Sequence, residues 1–219
     1  MQHRRTVMAE DKRKRFIECT YKVIDQEGLS AVNIRRIAND LGCTSATIYR
    51  HFDSLEHLIC LACVKFLDPY VFDIAYYSPK ANDYLEYNTV LWQRFVFYSM
   101  QRPDVFEVLF LGKYSDNLSE IIYEYYFIYS VNFTELNGFD VTFMFNGNIY
   151  DRDYQFYRRA VTQRLIDSEG AVILAKVGTS MYRDLIQECI RHNYSEEERQ
   201  KKGREFLDMH QKIIDRFRI

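Results

Sequence analysis

The chain has 219 residues, 47% hydrophobic and 27% charged, with a formal net charge of −2. This composition excludes a disordered or fibrous chain, because there is ample apolar surface to offset chain entropy, and no stretch approaches the ~18 consecutive apolar residues of a membrane span. The small net charge conceals an asymmetry: residues 1–51 carry 10 Lys and Arg against 6 Asp and Glu, and the remainder 19 against 25, so a basic end able to neutralise phosphate sits on an otherwise acidic protein.

Three prolines and eight glycines leave long uninterrupted stretches. Apolar spacing is mostly helical, which makes the reading all-α. A first helix is predicted from about Ala9 to Gln26, with Phe16, Ile17, Thr20, Val23 and Ile24 on one face and Gly28 past its end. A very short helix follows: Asn33 caps it, Ile34, Ile37, Ala38 and Leu41 form its buried stripe, and Gly42 stops it. Thr44 caps a third helix to about His51, and Asp53-Ser54 caps a fourth carrying Leu55, Leu58, Ile59, Ala62, Phe66 and Leu67. Beyond Pro69 the chain is rich in aromatic residues. Helices are expected there at Tyr84 to Gln101, Pro103 to Lys113, Leu118 to Leu136, Asp151 to Ile166, Glu169 to His192 and Ser195 to Phe217. Asn137 to Tyr150, holding Gly138 and Asn146-Gly147, reads as a loop or a short hairpin.

Two short helices abutting at Gly42 make a helix-turn-helix. The turn needs a glycine where a positive φ is cheap, and the crossing needs the small Ala38. Cys43, Ile48 and Phe52 are expected to pack inward, leaving Ser45, Ala46, Tyr49 and Arg50 toward the other side. The leading turn of the second helix, with Thr44, Ser45 and Thr47, is the end that meets base edges in a major groove. Tyr49 and His51 carry donors that reach phosphate, and Arg35 can reach either backbone or a guanine edge.

From Phe16 to Leu58 the chain resembles the N-terminal domain of the tetracycline-repressor (TetR) family. The likeness rests on Gly28-Leu29-Ser30-Ala31-Val32, Ile37-Ala38, Leu41-Gly42, the run Thr47-Ile48-Tyr49-Arg50-His51-Phe52, and Ser54, Glu56 and Leu58 opening the fourth helix. It implies that Arg35, Ser45, Ala46, Thr47, Tyr49 and His51 sit where family members touch DNA. It also implies a three-helix DNA-binding domain over residues 1–53 and a larger helical ligand-binding and dimerisation domain over 54–219. The implied function is a sequence-specific transcription regulator, a homodimer that represses and is released from double-stranded operator DNA by a small effector, with the fourth helix as the coupling element. One departure stands out: Leu55 occupies a position where many family members have a phosphate-contacting lysine, and Lys12, Arg13, Lys14 and Arg15 could supply compensating charge.

The segment Gly170 to Ile190 resembles the family's penultimate helix, with Gly178 at a close-packing point. Phe206, Met209, Ile213, Ile214 and Phe217 make an apolar stripe on the last helix, expected to pair with a symmetry mate. Trp92, Phe95, Phe97, Tyr98, Phe106, Phe110, Tyr123, Tyr126, Phe127 and Tyr129 are candidate pocket walls, although aromatics at helical spacing usually serve as core. Together they point to an apolar or aromatic effector.

His57, Cys60 and Cys63 share one face of the fourth helix, but no second ligand pair accompanies them, so neither a metal nor a cofactor is expected. Two alternatives remain: a thiol sensor using Cys60 and Cys63, and a DNA-binding regulator with no small effector. The odd count of five cysteines, with no apolar segment behind the basic start, points to the cytoplasm. Phosphate-cradling glycine loops, Gly-x-Ser-x-Gly and His-Glu-x-x-His are absent, so an enzyme is not expected. The acidic run Glu196-Glu197-Glu198 reads as charge at a helix start.

Overall fold

A computed structural model describes residues 2–77, 80–129, 135–136, 139–140 and 147–219. Helix α1 (Gln2–Glu27) ends at Gly28, which takes a φ of 86°. After a 3₁₀ turn at Leu29–Ala31, Asn33 Oδ1 accepts a hydrogen bond from the Arg36 amide at 2.9 Å and starts α2 (Ile34–Asp40). Gly42 turns the chain at a φ of 63°, in the left-handed region where a side chain would be strained. Helix α3 (Ser45–Ile48) is one turn, shorter than the expected Thr44 to His51. Its end tightens because the Arg50 and His51 amides bond three residues back, to Thr47 and Ile48, at 3.4 and 2.9 Å.

Ser54 caps α4 (Leu55–Val64) by accepting from the His57 amide at 3.1 Å. A 3₁₀ turn at Lys65–Leu67 leads straight into α5 (Asp68–Tyr77), a helix absent from the sequence expectations. Pro69 is the second residue of α5, where a missing N–H costs nothing.

Helices α6 (Tyr84–Gln101), α7 (Pro103–Phe110) and α8 (Leu118–Ile128) follow. The expected extension of α8 to Leu136 is replaced by a minimal antiparallel pair, β1 (Glu135–Leu136) with β2 (Phe139–Asp140), with Leu136 opposite Phe139. Most of the expected loop from Asn137 to Tyr150 lies outside the described residues. Its end does not, because Asn148 and Asp151 form a capping box that starts α9 (Ile149–Thr162). Helices α10 (Ser168–His192) and α11 (Glu196–Phe217) complete the chain. Ser195 and Glu198 box the start of α11 as the acidic run suggested.

Contacts divide the chain into two compact units. The first comprises Met1–Leu67 with Ser119–Phe133, so most of α8 joins the N-terminal helices from the middle of the sequence. Its core is Phe16, Ile17, Ile24, Ile37, Ile48, Phe52, Leu58 and Leu61, each at most 5% exposed. The second comprises Asp68–Leu118 with Thr134–Ile219. Here α6, α9, α10 and α11 enclose Leu85, Tyr157, Ala160, Leu174, Ala175 and Ile214. Helices α10 and α11 approach closely at Gly178, where an added Cβ would stand 2.8 Å from His210 Nε2.

The apolar stripe expected on the last helix is divided. Phe206 and Ile214 are core of the second unit, Ile213 and Phe217 pack partly against that core, and Met209 is exposed. A 3.6-residue period marks apolar positions but not which neighbour covers them. Among the described residues, no helix is long and apolar enough to cross a membrane.

Candidate functional site

The helix-turn-helix sorts its side chains by burial. Ile48 and Phe52 are 1% and 2% exposed, while Cys43 is half-buried. On the opposite side Arg35, Thr44, Ala46, Tyr49 and Arg50 are exposed, and Ser45, Thr47 and His51 are half-buried. Thr44 and Thr47 bring their hydroxyls to 3.1 Å, fixing the leading turn of α3. All eight side chains thus lie within one stretch of α2 and the α3 turn. Neighbouring charge is partly committed elsewhere, since Arg36 pairs with Glu27 and Asp40.

Of the four basic residues opening the apolar part of α1, two are drawn into packing. Arg13 pairs with Glu124 of α8 and lies 5.2 Å from the centre of the Phe52 ring, and Lys14 lies 5.8 Å from that of Tyr129. Lys12 and Arg15 remain exposed, so the charge available for phosphate is half of what the sequence suggested. Partial burial, aided by Lys12, Arg13 and Arg50, holds the His51 imidazole below its ordinary pKa.

Sequence reasoning missed the part played by α8. Glu124 pairs with Arg13 and lies 3.0 Å from His57 Nε2, joining α1, α4 and α8. Burial opposes ionisation there, yet His57 and Arg13 prevail and hold the Glu124 carboxyl below the usual carboxylate range. One turn further, Tyr129 donates to Glu18 at 2.7 Å, and Lys65 reaches the same carboxylate at 2.9 Å. No short-range signal marks these pairs, because the partners are 47 to 111 residues apart.

Residues 16–59 match the family model for bacterial regulatory proteins of the tetR family. Nine-tenths of the chain or more also shares its fold with solved structures. The fatty acid degradation regulator FadR from Bacillus halodurans aligns at a TM-score of 0.52 and 14% identity, over 90% of this chain and 94% of that one. The TetR family transcriptional regulator PfmR from Thermus thermophilus aligns at 0.50 and 15%, over 92% and 97%. Over residues 16–59 the chain is thus similar to bacterial regulatory proteins of the tetR family. HTH-type transcriptional regulators of several Staphylococcus aureus strains, among them USA300, are 33% identical over 63 residues, 29% of this chain and 34% of theirs. The chain thus aligns with about a third of the length of the curated relatives it matches.

Within the second unit, Tyr70, Asn88, Leu91, Trp92, Phe95, Ile149, Arg152, Asp153 and Phe156 line a cavity of about 40 Å³. Of the aromatics expected to form a pocket, Trp92 and Phe95 line it. Phe110 is buried and carries the Arg152 guanidinium 4.5 Å over its ring, while Tyr98 donates instead to Asp73 at 2.9 Å. Tyr123, Tyr126 and Phe127 belong to α8 in the first unit, with Tyr123 and Phe127 exposed, so they do not join this group. Arg152 and Asp153, absent from the expected pocket residues, are its buried charged groups.

The thiols of α4 are enclosed. Cys60 and Cys63 are both fully buried, and burial pushes the Cys60 thiol up to about 12. A sensing cysteine needs access to oxidant, and burial withholds it from both thiols. No cluster of His, Cys, Asp or Glu suited to a metal occurs among the described residues.

Proposed function

We propose that the chain is a sequence-specific DNA-binding transcription regulator whose second unit senses a small effector. The observation that carries this reading is the division of the helix-turn-helix: Ile48 and Phe52 are buried while Arg35, Thr44, Ala46, Tyr49 and Arg50 are exposed on one stretch. A recognition helix must offer short polar and basic side chains to a groove while its apolar side holds it to the domain, and this arrangement does both. The tetR-family match over residues 16–59 supports the same reading.

In this account Ser45, Ala46, Thr47 and Arg35 read base edges, and Thr44, Tyr49, Arg50 and His51 hold phosphates. The protein works as a homodimer through α10 and α11, because a two-fold protein matches a pseudo-palindromic site. Exposed Met209 and Ile190 on these helices provide apolar contact area. The effector favours a conformation whose two α3 turns no longer match half-sites one helical turn apart, which releases the operator and makes the protein a repressor.

Titration of labelled duplex DNA against the full chain at several salt concentrations tests the DNA-binding claim. The expected result is an affinity that falls steeply with salt as phosphate contacts are screened. Absence of binding to any duplex at low salt would contradict it.

A further inference from the structure

Helix α1 starts at Gln2, yet among the described side chains its first buried one is Phe16, about four turns later. The turn that ends at Phe16 stands beside the end of the helix-turn-helix. The rings of Phe16 and His51 lie 5.8 Å apart, and the Arg13 guanidinium stands 5.2 Å from the centre of the Phe52 ring. Together with partial burial, the charges of Lys12, Arg13 and Arg50 hold the His51 imidazole below its ordinary pKa, so Lys12 is within electrostatic reach of that ring.

Charge along these turns is sorted by direction. At about 3.6 residues per turn, Arg4, Arg5, Lys12 and Arg15 fall within one arc of about 100° around the helix axis, and Glu10 and Asp11 fall outside it. Phe16 follows Lys12 one turn on at the edge of that arc, which places the arc next to the side where His51 packs. Arg13 and Lys14 also fall outside it, and they are drawn to Glu124 and Tyr129 of α8. Lys12 and Arg15 are exposed.

We infer that α1 extends the DNA interface past the helix-turn-helix, its arc of Arg4, Arg5, Lys12 and Arg15 following the phosphates that flank each half-site. The inference rests on the DNA-binding reading and adds to it a stretch of duplex that is held without being read.

Duplex DNA is the partner because the arc carries charge of one sign and continues from His51, which holds phosphate in the DNA-binding reading. Backbone contact follows from size. A helix about 10 Å wide with its side chains cannot enter a minor groove about 6 Å wide, and α3 takes the major groove, which leaves the ridge of phosphates. From Arg4 to Lys12 the helix rises about 12 Å, the rise of about three or four base pairs.

Fluorescence titration of labelled duplexes with the full chain and with the double variant Arg4→Gln, Arg5→Gln, at several salt concentrations, tests this. The slope of log affinity against log salt is expected to become shallower by about 0.9 for each arginine removed from a bound chain, alike for preferred and unrelated duplexes. Hydroxyl-radical footprints of the wild-type chain on a duplex it selects are expected to reach about three or four base pairs beyond the outer edge of each half-site, and to recede there in the variant. An unchanged slope, a changed base preference, or a wild-type footprint that stops at the half-site would each overturn the inference. Should the variant fail to fold, the wild-type footprint decides alone. Failure of the wild-type chain to bind any duplex at low salt overturns the regulator reading and this inference together, whereas wild-type binding with an unchanged slope in the variant overturns this inference alone.

Discussion

Arg35 and Tyr49 are exposed on the same stretch, yet their chemistry assigns them different work. A guanidinium can bond a guanine edge in two places, whereas a phenol offers one donor suited to a phosphate oxygen. Arg35→Ala is therefore expected to lower affinity for the preferred sequence by about 1–3 kcal/mol and to relax specificity at one base pair. Tyr49→Phe is expected to weaken binding to all duplexes alike, by about 0.5–1.5 kcal/mol. Competition titrations with altered duplexes separate the two. His51 provides a test by pH. Partial burial and its cationic neighbours hold its pKa down in the free protein, while a bound phosphate favours the protonated ring. Binding then takes up a proton, so DNA affinity should rise as pH falls from neutrality, and His51→Gln should flatten that rise.

At the scale of elements, boundaries set by local chemistry were legible in the sequence. Asn33, Ser54, Ser195 and the glycine at 42 act where their side chains or backbone freedom place them, because caps and turns depend on a few adjacent residues. Elements whose limits depend on distant partners were not. Helix α8 was expected to run on to Leu136 as part of the sensor domain, but most of it packs with the N-terminal helices, and its charged residues reach α1 and α4. Helix α5 was hidden by Pro69, a residue that serves both as a breaker and as a first-turn residue. The tie at Glu124 is a testable consequence of α8's placement. Glu124→Gln keeps the shape but removes the charge facing Arg13 and His57, and should destabilise the first unit by about 1 kcal/mol in urea unfolding. An unchanged midpoint would mean that apolar packing alone holds α8.

For the whole molecule, the exposed stretch of the helix-turn-helix could be read from sequence, whereas the cavity could not. Every residue of the first lies between positions 35 and 51, so helical geometry alone orders them. The cavity draws on α5, α6 and α9, and nothing in the sequence around its two charged groups marks them as buried. Trp92 and Phe95 were identified, but Arg152 and Asp153 emerged only when the helices were packed.

Selection of bound duplexes from a random library by the full chain tests the central claim most directly. The account predicts enrichment of an inverted repeat with half-sites one helical turn apart, lost when Arg35 and Tyr49 are both replaced by alanine. Failure to enrich any sequence, or enrichment unaffected by that double replacement, would contradict it.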